Sequence, residues 1–194
     1  MNAEIISVRK KDDKSSLVIL SLFLDGQRQK YTISEGTYRE IGCPLSGSLL
    51  NEYELEVIVK KDEERRCMIK ALNILAYADN NERNLTLKLL RAGFSKDNVL
   101  DTVKECTRLG YINEERQAER LIIRCAEQLF GPRKIISKLV SRGYSPSLSK
   151  RLISSLELKG EIDFSEQKKL LLEKKLSDGS DPEEKKKLLY RYGY

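Results

Sequence analysis

The chain contains no histidine among its 194 residues, which removes the commonest general base near neutral pH and the commonest metal ligand. Phosphate-cradling loops are absent as well. Neither Gly-x-x-x-x-Gly-Lys-Ser/Thr nor Gly-x-Gly-x-x-Gly occurs, and the eleven glycines are scattered as turns and helix ends. Cysteine is sparse: Cys43, Cys67, Cys106 and Cys125 show no Cys-x-x-Cys spacing and read as reduced core residues. No apolar run is long enough to span a bilayer, since the longest, Leu17 to Leu24, is short and broken by Ser21. The start, Met1-Asn2-Ala3-Glu4, lacks the basic opening of a signal peptide. The carboxylate pairs Glu63-Glu64 and Glu114-Glu115 read as helix openings, where negative charge favours the macrodipole, rather than as acid and base. These absences predict a cytoplasmic protein that is not an enzyme, with no cofactor, no metal and no membrane partner.

What is present is a repeat. Lys138-Leu139-Val140-Ser141-Arg142-Gly143-Tyr144 is matched fifty residues earlier by Lys88-Leu89-Leu90-Arg91-Ala92-Gly93-Phe94 and fifty later by Leu188-Leu189-Tyr190-Arg191-Tyr192-Gly193-Tyr194. Leu, then Gly, then an aromatic at one spacing describes a helix end: an apolar turn, a glycine able to take the left-handed conformation, and a ring that folds back.

Residues 1–61 read differently, as strands and one short helix. Asp25-Gly26 between two β-rich runs is a hairpin signal, and Ser34 is placed to cap a helix through Ile41. Glu52 to Lys61 fits strand or helix. From Asp62 the periodicity becomes helical. The first repeat, 62–112, places Met68, Leu72, Leu75 and Ala76 on one helix face, Leu85, Leu89 and Leu90 on the next, and Val99, Leu100, Val103 and Cys106 on the third. The second, 113–162, does the same with Ala118, Leu121, Ile122, Cys125 and Leu129, then Ile135, Ile136, Leu139 and Val140, then Leu148, Leu152, Ile153 and Leu156. The third, 163–194, carries a helix with Leu170, Leu171, Leu172 and Leu176, a Ser177-Asp178-Gly179-Ser180 turn, and a helix opened by Asp181-Pro182. The chain stops where a third helix of that repeat is expected. The fold class is therefore mostly α: tandem three-helix repeats, forming an elongated array, behind a small β-containing N-terminal region.

Charge is uneven. The chain carries +6 overall, and the four segments carry 0, +1, +4 and +1 in order. In the middle repeat Arg116, Arg120 and Arg124 stand four apart, and so do Lys134, Lys138 and Arg142, with Arg133 beside them; each set lines one helix face. Two basic stripes on adjacent helices suit an anionic partner. The plainer reading is a solvated face whose charges pair locally with Glu115, Glu119 and Glu127.

The three-helix repeats, the Leu-x-x-x-Gly-aromatic endings, Gly110-Tyr111-Ile112-Asn113 ahead of a helix with Ala118, and Gly131-Pro132-Arg133-Lys134-Ile135 ahead of Lys138-Leu139 together resemble the bacterial RecX family of recombination regulators. The resemblance covers about 62–194, with Tyr31-Thr32-Ile33-Ser34 and Glu54-Leu55 similar to that family's N-terminal region; Glu161 departs from it where an aromatic is expected. It implies a monomeric modulator that binds in the groove of the RecA–DNA filament and lowers ATP hydrolysis, strand exchange and coprotease activity in recombination, repair and the SOS response. Arg116, Arg120, Arg124, Arg133, Lys134, Lys138 and Arg142 are its expected contacts to the filament or to DNA phosphates. The alternative is a helical-repeat protein that binds DNA directly.

Overall fold

Asp25 and Gly26 both adopt positive φ, 48° and 80°, the geometry of a two-residue hairpin turn whose twist matches its strands. They join β2 (Leu17–Leu24) to β3 (Gln27–Ser34), paired from Leu24 with Gln27 to Leu17 with Ser34. The computed structural model describes residues 3–11, 16–176 and 181–194; the turn expected at 177–180 lies outside them. β1 (Ala3–Lys10) pairs with β2 on one side and with the short β4 (Leu49–Leu50) on the other, giving an antiparallel sheet of order β3-β2-β1-β4. Strand alternation buries Ile5, Leu20, Leu22 and Ile33 on one face, in a cluster that includes Ile58. Between β3 and β4, Ser34 Oγ accepts from Thr37 N at 3.0 Å and caps α1 (Glu35–Glu40), as its position predicts.

The stretch 52–61 resolves to helix. It is the first part of α2 (Glu52–Tyr77), opened by a reciprocal box in which Asn51 N donates to Glu54 Oε2 and Glu54 N to Asn51 Oδ1, both at 2.9 Å. The buried stripe of α2 is Ile58, Asp62, Cys67 and Ala71. The expected face therefore shifts by one residue: Met68, Leu72 and Leu75 are only half-buried, and Ala76 is exposed. Glu63 and Glu64 do not open a helix, because α2 begins at Glu52; Glu63 instead accepts from Ser95 N at 2.7 Å and Glu64 pairs with Lys61. Cys67, Cys106 and Cys125 are buried thiols outside any disulfide, whereas Cys43 is exposed. Cys43 follows α1 at φ 53°, in a turn outside the core.

The remaining helices are α3 (Glu82–Arg91), α4 (Lys96–Arg108), α5 (Glu114–Glu127), α6 (Pro132–Ser141), α7 (Pro146–Leu158), α8 (Phe164–Lys175) and α9 (Pro182–Tyr192). Gly93, Gly143 and Gly193 all sit at φ near 90°, so the recurring Leu-x-x-x-Gly-aromatic run is a helix end three times over. The chain forms two compact units, Met1–Ile74 with Lys88–Glu105, and Leu75–Leu87 with Cys106–Tyr194. The second is built on Ala118, Ile122, Ile135, Leu139, Leu152 and Leu156. Leu90, Leu100, Val140 and Leu170, expected on buried faces, are 37–50% exposed at the margins of their helices.

Candidate anion-binding cleft

Asn113 Oδ1 accepts from Arg116 N at 3.0 Å and fixes the start of α5. With Ala118, Ile122 and Cys125 turned into the core, the period of the helix leaves Arg116, Arg120 and Arg124 on the solvent side. The end of α6 then comes to meet that side. Gly143 N donates to Val140 O and Tyr144 N to Leu139 O, at 2.9 and 3.1 Å, a bonding pattern that closes the helix and turns Tyr144 back over it. The carbonyl of Arg142 is accounted for by two carboxamides: Asn81 Nδ2 donates to it at 2.8 Å and Asn84 Nδ2 at 3.2 Å.

The result is a cleft of about 390 Å³ whose lining includes Arg120, Arg124, Arg142, Tyr144, Gln117 and Asp79. Arg120 bonds Asp79 at 2.8 Å, an exposed pair that contributes little stability. Arg124 and Arg142 form no ion pair among the described residues, so the cleft keeps an excess of positive charge. Tyr144 OH donates to Gln117 Oε1 at 3.4 Å. Burial raises its pKa, the carboxylates of Glu114 and Asp79 raise it further, and Arg142 and Arg120 oppose them; it is a neutral donor at physiological pH. Guanidinium forks beside a phenol and carboxamide donors suit a carboxylate or phosphate group.

The two basic stripes do not form one surface. Arg142 joins Arg120 and Arg124, but the other members of its helix turn toward α9. Lys138 Nζ lies 4.1 Å from the centre of the Phe130 ring and Lys134 Nζ 5.3 Å from it, and Lys134 also donates to Arg191 O at 3.0 Å. Arg133 lies 6.0 Å over Tyr190. Arg116 is exposed and lines neither place. Local pairing with Glu115 is not found for these arginines; Glu115 bonds Arg151 of α7. Asn81, Asn84 and Gln117 were not marked by sequence pattern, because carboxamides carry no periodic signal; Tyr144 was marked only as the aromatic of a helix end.

Gly143 is doubly constrained, by φ of +96° and by Arg83 Cδ and Asn81 Nδ2, 3.0 and 3.2 Å from where a Cβ would sit. Gly143→Val is expected to cost about 2 kcal/mol in urea unfolding, and Gly143→Asn less, since asparagine tolerates the left-handed region. Equal losses in the two variants would disprove the backbone argument.

A small antiparallel sheet followed by helical modules with a recurring helix end defines a helical-repeat protein of mixed α and β make-up. Its fold is that of the RecX proteins: a crystal structure of regulatory protein RecX matches it over 99% of this chain and 94% of that one, with TM-score 0.71 and 18% identity. In sequence it is similar to regulatory protein RecX of Clostridium perfringens, 28% identical over 135 residues, and of Legionella pneumophila, 36% identical over 78. Those alignments take in 68% and 40% of this chain and 63% and 52% of the relatives, less than two thirds of either relative. No family model matches. The resemblance read from the repeats is borne out in both sequence and fold. Among the described residues no helix is long and apolar enough to cross a membrane, and no cluster of metal-binding side chains occurs.

Proposed function

We propose that this chain is a non-enzymatic cytoplasmic regulator that binds the RecA–DNA filament and lowers its ATPase, strand-exchange and coprotease activities, within recombination, repair and the SOS response. Likeness to proteins named as regulators supports the first half of that reading. The observation that carries the second is the cleft, where Arg120, Arg124 and Arg142 converge from two helices around hydrogen-bond donors, a receptor for acidic groups on a filament. The modules 62–112, 113–162 and 163–194 are proposed as the repeating units that present it.

The test is RecA ATPase on single-stranded DNA with and without this chain. Wild type lowers turnover, and Arg124→Glu with Arg142→Glu weakens that effect at least about tenfold, the cost of losing roughly 1.4 kcal/mol of charge-assisted bonding. Both side chains are exposed, so the variant folds, which far-ultraviolet circular dichroism checks. Undiminished inhibition by the double variant would remove the cleft from the reading. No inhibition by wild type would remove the reading itself. Direct DNA binding by the helical modules is the alternative, favoured by the exposed Arg133 over Tyr190; it requires tight binding to naked DNA at about 0.2 M salt, where phosphate contacts are strongly weakened.

A further inference from the structure

The N-terminal segment is neutral overall and drew no functional expectation, yet strand alternation sorts its charges by face. The register places Glu4, Phe23 and Arg28 in one row across β1, β2 and β3, Ser7, Ser21 and Lys30 in the next, and Arg9, Ile19 and Thr32 in the third. Side chains directly opposite one another share a face, and this face is the one turned away from Ile5, Leu20, Leu22 and Ile33. It is not covered. A hollow of about 690 Å³ opens over it, lined by Arg9, Arg28, Lys30, Ile19, Ser7 and Ser21 among others, with three cations and, among the described residues, no carboxylate in its lining. Glu4 lies at the end of the face, next to Phe23, which is 44% exposed. Lys10 bonds Glu35 at 2.8 Å, off this surface.

We propose that this open sheet face binds single-stranded nucleic acid. Arg9 and Lys30 sit on strands two apart, about 10 Å across the sheet, so they and Arg28 can hold neighbouring phosphates of one strand while Ser7 and Ser21 supply hydroxyl donors between them. Phe23 offers a ring for a base to stack on, a contact indifferent to sequence. Exposed side chains on an open face select the single strand. Unpaired bases can lie on Ile19 and Phe23, whereas a duplex keeps its bases stacked inside and meets the sheet through its backbone. The surface belongs to the first compact unit and shares no residue with the arginine cleft.

Fluorescence anisotropy of the full chain with a labelled short oligothymidylate tests this. Binding weakens with salt, with a slope of log affinity against log salt of about −2 for three neutralised phosphates. Arg28→Glu with Lys30→Glu lowers affinity at least about tenfold and flattens the slope by more than one; Phe23→Ala lowers affinity about tenfold with the slope kept, because stacking releases no counterion. These side chains are on the exposed face, and circular dichroism confirms the sheet. Arg124→Glu with Arg142→Glu lowers oligothymidylate affinity less than Arg28→Glu with Lys30→Glu does, which separates this surface from the cleft. The proposal is overturned by absence of binding in the wild type, by binding that survives Arg28→Glu with Lys30→Glu, by equal affinity for a duplex of the same length, or by a preference for anionic lipid vesicles over the oligonucleotide.

Discussion

Leu139→Ala is expected to lower stability by about 2–5 kcal/mol, the range for emptying a fully buried aliphatic site. Leu139 is wholly buried in the cluster formed with Ile135, Ile122, Leu152 and Leu156, and its carbonyl also accepts from Tyr144 N at the helix end. The cavity would open beneath the turn that carries Arg142. A urea titration reads the loss as a lower midpoint at unchanged slope. Val140→Ala is the internal control: Val140 is 38% exposed, so its loss should stay within about 0.5 kcal/mol. Leu139→Ala within that same margin would place the core face elsewhere on α6.

Gly131→Ala is expected to cost about 3 kcal/mol, a large penalty for one methyl group. The backbone of Gly131 is extended, φ −75° and ψ 169°, a conformation alanine adopts freely, so the loss comes from space alone. A Cβ there would stand 2.6 Å from both the carbonyl carbon and oxygen of Gly193 and 2.8 Å from Tyr194 N. Main-chain atoms cannot swing aside. The chain end must move, which breaks Gly131 N to Tyr192 O at 2.7 Å and Arg133 N to Gly193 O at 3.1 Å and unseats the Tyr194 ring from Phe164, 6.5 Å away edge-on. Overpacking plus two lost hydrogen bonds gives the magnitude. Removing Gly193 and Tyr194 should itself destabilise, but adding Gly131→Ala to that deletion should cost less than about 0.5 kcal/mol more. Additive losses would show that the clash is not the cause.

The elements best read from sequence are those fixed by local backbone chemistry. Asp25-Gly26, Ser34 and the recurring glycines each demand one turn or cap whatever surrounds them, and each is found where its residue type places it. The stretch 52–61 was not legible, because β-branched Val57, Ile58 and Val59 favour a strand while the Asn51–Glu54 box starts a helix, and packing decided between them. The candidate site was legible only in part. Periodicity shows that Arg116, Arg120 and Arg124 share a face of α5, and that Lys134, Lys138 and Arg142 share a face of α6, but it is silent about which face meets which neighbour. Arg142 went to the cleft because Asn81 and Asn84 hold its carbonyl; Lys134 and Lys138 went to Phe130 and the end of α9. Segment-wide charge hid the basic sheet face for a related reason: alternation along a strand separates charges that a sum cancels.

The contact between α2 and the hairpin has a bearing on solubility. β3 is an outermost strand, and such a strand offers main-chain groups onto which a second molecule can add itself, the usual beginning of aggregation. Thr32 is denied to that use. Asp62 Oδ1 accepts from Thr32 N at 2.8 Å and Arg65 Nε donates to Thr32 O at 3.0 Å, while Arg66 bonds the second Asp62 oxygen at 2.7 Å. A carboxylate and a guanidinium thus stand in for a neighbouring strand at the middle of β3, and the growing end of a fibril would have to displace a buried, twice-paired acid before its first bond could form.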